Sequence, residues 1–141
     1  MTKLLETERL YLREFVIEDA QLLIDLNSNP KVTKHSGYGP VKDLEDAKRI
    51  LKDIIFPQYK NKVGRWAVHL ISNNEFIGWC GLKFIEENNE YDIGYRFFED
   101  HCGKGYASES AKAVLEYGEN TLKLKNIIAR AAKENTASIN V

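Results

Sequence analysis

Hydrophobic and polar positions change period several times along this chain, and each change marks a different element. Arg9 to Phe15 alternates in the manner of a strand. Glu18 and Asp19 then open a helical stretch with Leu22, Leu23 and Leu26 on one side and Pro30 beyond its end. Lys31 to Val41, carrying Gly37, Gly39 and Pro40, reads as a loop. Asp43 is placed to cap a second helix, because Leu44, Ala47, Ile50, Leu51, Ile54 and Ile55 share one helical face, and Pro57 is expected to end it. Three strands are predicted next, at Trp66 to Ile71, Phe76 to Phe84 and Tyr91 to Phe98. The polar turns between them are short, which implies an antiparallel meander. The helical period returns with Ala107, Ala111, Val114, Leu115 and Gly118; Asn126 to Ala132 reads as a last buried strand, and Asn135 can cap the start of another helix. This order of elements predicts an α+β, or mixed α/β, single domain over residues 1–141.

Composition narrows the function classes. The 141 residues suit one core, and 43% hydrophobic with 29% charged residues is the balance of an ordinary globular protein. A net charge of −1, with Lys and Arg scattered, supplies no basic field for a nucleic-acid backbone. No window approaches the run of about 20 apolar residues that spans a membrane, and the first residues lack a secretory apolar region. Cys80 and Cys102 form no metal-type Cys-x-x-Cys pair, and His35, His69 and His101 are dispersed, so no metal site is expected. A reducing cytoplasm is the expected setting.

The chemistry-bearing stretch is Cys102-Gly103-Lys104-Gly105-Tyr106-Ala107-Ser108-Glu109, between a predicted strand and a predicted helix. Two glycines permit a sharp turn and close approach of an anion. The first amides of the following helix have no acceptors within it, and the helix dipole adds positive charge, so a phosphate or pyrophosphate can bind there; Lys104 adds a cation at the rim. The pattern is not a P-loop, since Phe98 stands where the first glycine belongs and Gly105 where Ser or Thr belongs. A dinucleotide fingerprint requires a parallel βαβ unit, and a meander precedes this turn. Taken alone, a Gly-x-Gly is most simply a strand-to-helix turn.

In its context, however, Gly103 to Glu109 resembles the acetyl-CoA loop of the GNAT superfamily of N-acetyltransferases, in the form typical of RimJ/RimL-like members. Thr7 to Arg13 resembles that family's opening strand, Ile77 to Leu82 its third strand, Asp92 to Arg96 its fourth, and Asn135-Thr136-Ala137-Ser138 the start of its fourth helix. The resemblance implies the GNAT fold, a mostly antiparallel central sheet flanked by helices, with acetyl-CoA as co-substrate and no metal. It implies that the backbone of Tyr95, Arg96 and Phe97 pairs with pantetheine as an added strand. Amides of Gly103, Lys104, Gly105, Tyr106 and Ala107 would hold the pyrophosphate, and the Asn135 side chain would contact the pantetheine arm.

The implied reaction is direct attack of an amine on the acetyl thioester, with a protein N-terminus or a small-molecule amine as acceptor. Asp92 is the candidate general base, with a solvated strand carboxylate as the plainer reading; Glu90 is a weaker candidate. Ser138 could protonate the departing thiolate or simply satisfy amides of a helix first turn. An amide near Phe97 could polarise the thioester carbonyl. Tyr106, Tyr117, Trp66 and Trp79 read as packing residues, and Cys102 as a small loop filler. The alternative reading is a coenzyme-A-binding module with little catalysis. In this family the Asn-x-x-Ser segment is followed by about 25–35 further residues carrying two strands. The resemblance therefore predicts a domain with its last strands missing, whose open sheet edge favours self-association, such as a homodimer.

Overall fold

The computed structural model describes residues 3–26, 43–60, 62–125 and 127–128. Six strands form one sheet in the order β1 (Leu5–Glu6), β2 (Leu10–Glu14), β3 (Gly64–Leu70), β4 (Phe76–Ile85), β5 (Glu90–Phe97) and β6 (Ile127–Ile128). Every neighbouring pair is antiparallel except β5 with β6, which run parallel through Tyr91↔Ile127 and Asp92↔Ile128. The predicted meander of three strands is present with bounds shifted by one or two residues. The mixed α+β sheet with helices packed on its faces agrees with the predicted fold class.

Helix α1 (Ala20–Leu26) follows a 3-10 turn, Ile17–Asp19, and buries Ala20, Leu23 and Leu26. Helix α2 (Leu44–Ile50) starts as expected at Asp43, whose carboxylate accepts a hydrogen bond from the Asp46 amide at 2.8 Å. It does not end at Pro57. The helix widens into π-type turns over Leu51–Ile55 and runs on through α3 (Phe56–Tyr59), with Pro57 in its first turn. The reason is geometric: a widened turn already breaks the regular ladder of hydrogen bonds, and a first turn does not need the amide that proline lacks.

Helix α4 (Tyr106–Glu116) continues through a π-type segment, Tyr117–Thr121. Ala111, Val114 and Gly118 face the sheet as predicted, but Leu115 is 37% exposed. One residue beyond Val114 is a rotation of about 100°, which carries Leu115 off the buried stripe. The two faces of the sheet carry separate cores. Leu10, Leu12, Trp66, Val68, Cys80 and Leu82 pack under Ala111 and Val114 of α4. Phe15, Ala67 and Trp79 pack under α1 and α2.

Strand β1 was not foreseen. Its two residues pair with Leu12 and Tyr11, and the turn between β1 and β2 is closed by Thr7, whose amide donates to Leu10 O at 2.8 Å and whose hydroxyl accepts from Leu10 N at 3.1 Å. Two residues are too few to print a period. No helix among the described residues is long and apolar enough to cross a membrane.

Candidate functional site

Strand β5 leads directly into the glycine turn. Phe98 N donates to Ile77 O at 3.0 Å, a 3-10 turn spans Glu99–His101, and Gly103 and Gly105 follow with φ of 78° and 83°. Both values lie in the left-handed region that favours glycine. Gly105 is the N-cap of α4 and has no side chain with which to cap it. The first intrahelical bond of α4 runs from Glu109 N to Gly105 O at 3.0 Å. The amides of Tyr106, Ala107 and Ser108 precede it, so they have no acceptor one turn back. Residues 102–105 are exposed, and a Cβ added at Gly103 would meet nothing within 4 Å. Open space, uncapped donors and the dipole of an 11-residue helix therefore coincide, and these features fit a diphosphate.

A second set of contacts holds this turn from behind. Glu109, in α4, accepts from Arg9 Nε at 2.7 Å, from the Arg9 amide at 3.0 Å and from the Thr7 hydroxyl. Arg9 Nη1 donates to the Lys104 carbonyl at 3.1 Å, and its guanidinium lies 4.5 Å above the Tyr106 ring. Burial works against ionisation of Glu109, but the hydrogen bonds from Thr7 and Arg9 and the charge of Arg9 outweigh it and hold the carboxyl below its usual range. In the sequence Thr7, Arg9 and Glu109 stand only within the two motifs Thr7 to Arg13 and Gly103 to Glu109, with no role of their own. The available signal was an opposite-charge pair with one member in each of two motifs.

The structure brings most of the predicted residues onto one strand and the turn after it. Tyr95, Arg96 and Phe97 pair with Cys80, Trp79 and Gly78 of β4. Arg96 is buried, and the Tyr95 and Phe97 rings stand 5.8 Å apart. Tyr91, Ile93 and Tyr95 pack toward α4, so strand alternation puts Asp92 on the opposite face, which it shares with Arg96 and Trp79. Asp92 is half-buried, opposite Lys83 of β4 and beside Ile128 of β6. Five strand positions separate it from Phe97, about 16 Å at the usual rise.

An open cleft of about 250 Å³, lined by Asp53, Ile55, Gln58, Arg65 and Lys83 among others, adjoins this end of the sheet. Asn135 and Ser138 lie outside the described residues, as does most of the predicted strand Asn126 to Ala132. Cys102 is exposed, with its Sγ 3.5 Å from Phe98 O. Tyr117 meets Trp66 edge-on at 5.6 Å, so both are packing residues as expected. Among the described residues no cluster of His, Cys, Asp or Glu is arranged to hold a metal ion.

Comparison with known proteins gives a consistent picture. A model described as the acetyltransferase (GNAT) domain matches residues 9–141. Over 136 residues the chain is 37% identical to the uncharacterized N-acetyltransferase p20 of Bacillus licheniformis, covering 96% of this chain and 76% of that protein. The crystal structure of a GNAT-family acetyltransferase from Bacillus anthracis matches with a TM-score of 0.80 and 29% identity, over 99% of this chain and 79% of that one. RimL, a ribosomal-protein α-N-acetyltransferase solved in complex with coenzyme A, has the same fold at a TM-score of 0.81 and 17% identity, over 99% of this chain and 80% of that one.

Proposed function

The chain belongs to the GNAT acetyltransferase family, and from that premise we propose that it transfers an acetyl group from acetyl-CoA to a primary amine, either a protein N-terminus or a small-molecule amine. One observation carries the reading. The left-handed pair Gly103 and Gly105 opens α4 without a side-chain cap, one short 3-10 turn after the strand along which pantetheine would lie. Amides from Gly103 to Ala107 hold the diphosphate, with Lys104 at the rim. The backbone of Tyr95, Arg96 and Phe97 receives the pantetheine arm. The RimJ/RimL-like form of residues 103–109 supports a reading in that branch of the family, in which Asn135 would contact the arm and Ser138 would serve the leaving thiolate.

Acetyl-CoA supplies the activated acyl group. The amine nitrogen attacks the thioester carbon, a C–N bond forms, the C–S bond breaks, and the sulfur leaves as thiol once protonated. The amine must give up its proton first. At pH 7 that costs about 4–5 kcal/mol for a lysine-like amine and about 1 kcal/mol for an α-amine, so a base matters most for the former. Asp92 is assigned that task. It lies on the strand proposed for the coenzyme, toward the end away from the diphosphate turn. The thiols of Cys80, which is buried, and Cys102, which is exposed, accord with a reducing, cytoplasmic setting.

Calorimetric titration with acetyl-CoA tests the reading, followed by thiol release with a panel of amines on the same sample. Saturable binding and amine-dependent thiol release are expected. A flat titration at millimolar coenzyme would remove the basis of the proposal.

A further inference from the structure

The contacts behind the glycine turn join two parts of the chain that share no secondary structure. Arg9 belongs to the β1–β2 turn, while Lys104, Tyr106 and Glu109 belong to the turn and helix that meet the diphosphate. Its side chain touches all three: Nε on the Glu109 carboxylate at 2.7 Å, Nη1 on the Lys104 carbonyl at 3.1 Å, and the guanidinium plane 4.5 Å from the Tyr106 ring centre. Its Nη2 is 3.3 Å from where a Cβ at Gly105 would stand. A planar, permanently charged group with donors in several directions can make these contacts together, and a lysine ammonium cannot.

Charge makes the arrangement more than a tether. Glu109 places a carboxylate within the first turns of the helix whose N-terminus should receive an anion. Left alone, it would offset the positive end of the helix dipole and repel a diphosphate. Arg9 lies against it and cancels that charge, and also fixes the direction of the Lys104 carbonyl.

We propose that Arg9 is a positioning residue for the coenzyme: by bonding Glu109 and Lys104 together, it sets the Gly103–Gly105 turn in its anion-receiving shape and neutralises the one carboxylate built into that part of the helix. The inference rests on the acetyl-CoA reading given above. Arg9 touches the loop and not the reacting atoms, so its loss changes coenzyme affinity and leaves the chemical step intact.

The test combines acetyl-CoA titration with steady-state kinetics on four proteins: the wild type, Arg9→Ala, Arg9→Lys, and the double variant Arg9→Ala with Glu109→Gln. Arg9→Ala is expected to weaken acetyl-CoA binding about tenfold with kcat at saturating coenzyme unchanged. Arg9→Lys keeps the charge but not the fork, and an intermediate loss of about threefold is expected; it also serves if the alanine variant folds poorly. The double variant separates the inference from a purely structural role. Removing the orphaned carboxylate should recover about two- to fivefold of the lost affinity, whereas a tether without electrostatic function would lose more. Unchanged affinity in both single variants, or a further loss in the double variant, overturns the inference while the wild type still binds. A wild type that takes up no acetyl-CoA overturns the functional reading itself, and this inference with it.

Discussion

Arg13 donates a hydrogen bond from Nε to Nε2 of His69 at 3.1 Å, and that bond sets the tautomer of a buried imidazole. Because Nε2 accepts, Nδ1 carries the proton and donates to the Asn74 carbonyl at 2.9 Å. The same guanidinium grips Asp19 with both terminal nitrogens, at 2.7 and 3.1 Å, and Asp19 also accepts from the Val16 amide. One network therefore ties β2, β3 and the entry to α1 together. Polar groups so far from water remain tolerable only while every partner is present.

This network predicts an acid-sensitive fold. Burial disfavours the charged imidazole, and the Arg13 charge adds to that, so the pKa of His69 is lowered from 6.5. In the unfolded chain His69 takes up its proton near pH 6.5, whereas in the folded chain it does so only at lower pH. The unfolded state thus binds more protons in that interval. The contribution of His69 is fully present above pH 6.5 and is lost as pH falls toward the folded value. Thermal midpoints measured from pH 8 to 5 should fall for the wild type more steeply than for His69→Gln. Parallel curves would remove His69 as the cause.

Replacing Asp92 with Asn tests the base. The carboxylate lies on the face opposite α4 and away from the diphosphate turn, so acetyl-CoA affinity should be unchanged. For a lysine-like amine kcat should drop about 10²–10⁴-fold, and for an α-amine much less, because the latter needs little help to lose its proton. Equal losses for both acceptors would argue that Asp92 only shapes the strand.

Gly78→Ala should be among the costly glycine substitutions. Its φ is +155°, and a Cβ there would stand 2.1 Å from the Arg96 carbonyl and 2.8 Å from the Phe97 Cα. The neighbouring strand would have to move, at the point where it turns toward Gly103 and Gly105. A loss of about 3 kcal/mol in urea unfolding is expected, with weaker coenzyme binding. A loss below about 1 kcal/mol would mean that β4 and β5 are less firmly held there than the contacts indicate.

The two thiols should separate cleanly in a disulfide-exchange assay. Burial pushes the Cys80 thiol up to about 12, against smaller opposing effects from Ser110 and the Gly81 amide. Cys102 is exposed, one residue before Gly103. One thiol should react in the native protein and a second only on unfolding. Saturating acetyl-CoA should slow the first, since the diphosphate would cover its neighbours; an unaffected rate would place the coenzyme elsewhere.

Much of the frame was legible because it is local. The alternation through Phe76 to Phe84 and Tyr91 to Phe98, the polar turns between these strands, the cap at Asp43 and the helical stripe from Ala107 to Gly118 depend on spacing within a few residues. So does the glycine turn, since two glycines directly before a helix leave its first amides open wherever the fold puts them. The ordered set of such segments was enough to identify the family.

What the sequence by itself determined, then, is the order of the main elements, β1 excepted, and the open glycine turn that begins α4. Only the tertiary structure decided which distant groups meet. Arg9 and Glu109 are 100 residues apart, and their opposite charges in two separate motifs do not by themselves say that they meet. No local pattern marks Arg13, Asp19 and His69 as partners; they become a buried network because three elements converge on them. Pro57 lies within a continuing helix because a widened turn before it had already released the hydrogen bond it cannot make. Periodicity reports on one element at a time; an ion pair or a close approach between strands belongs to two, and exists only once both are packed.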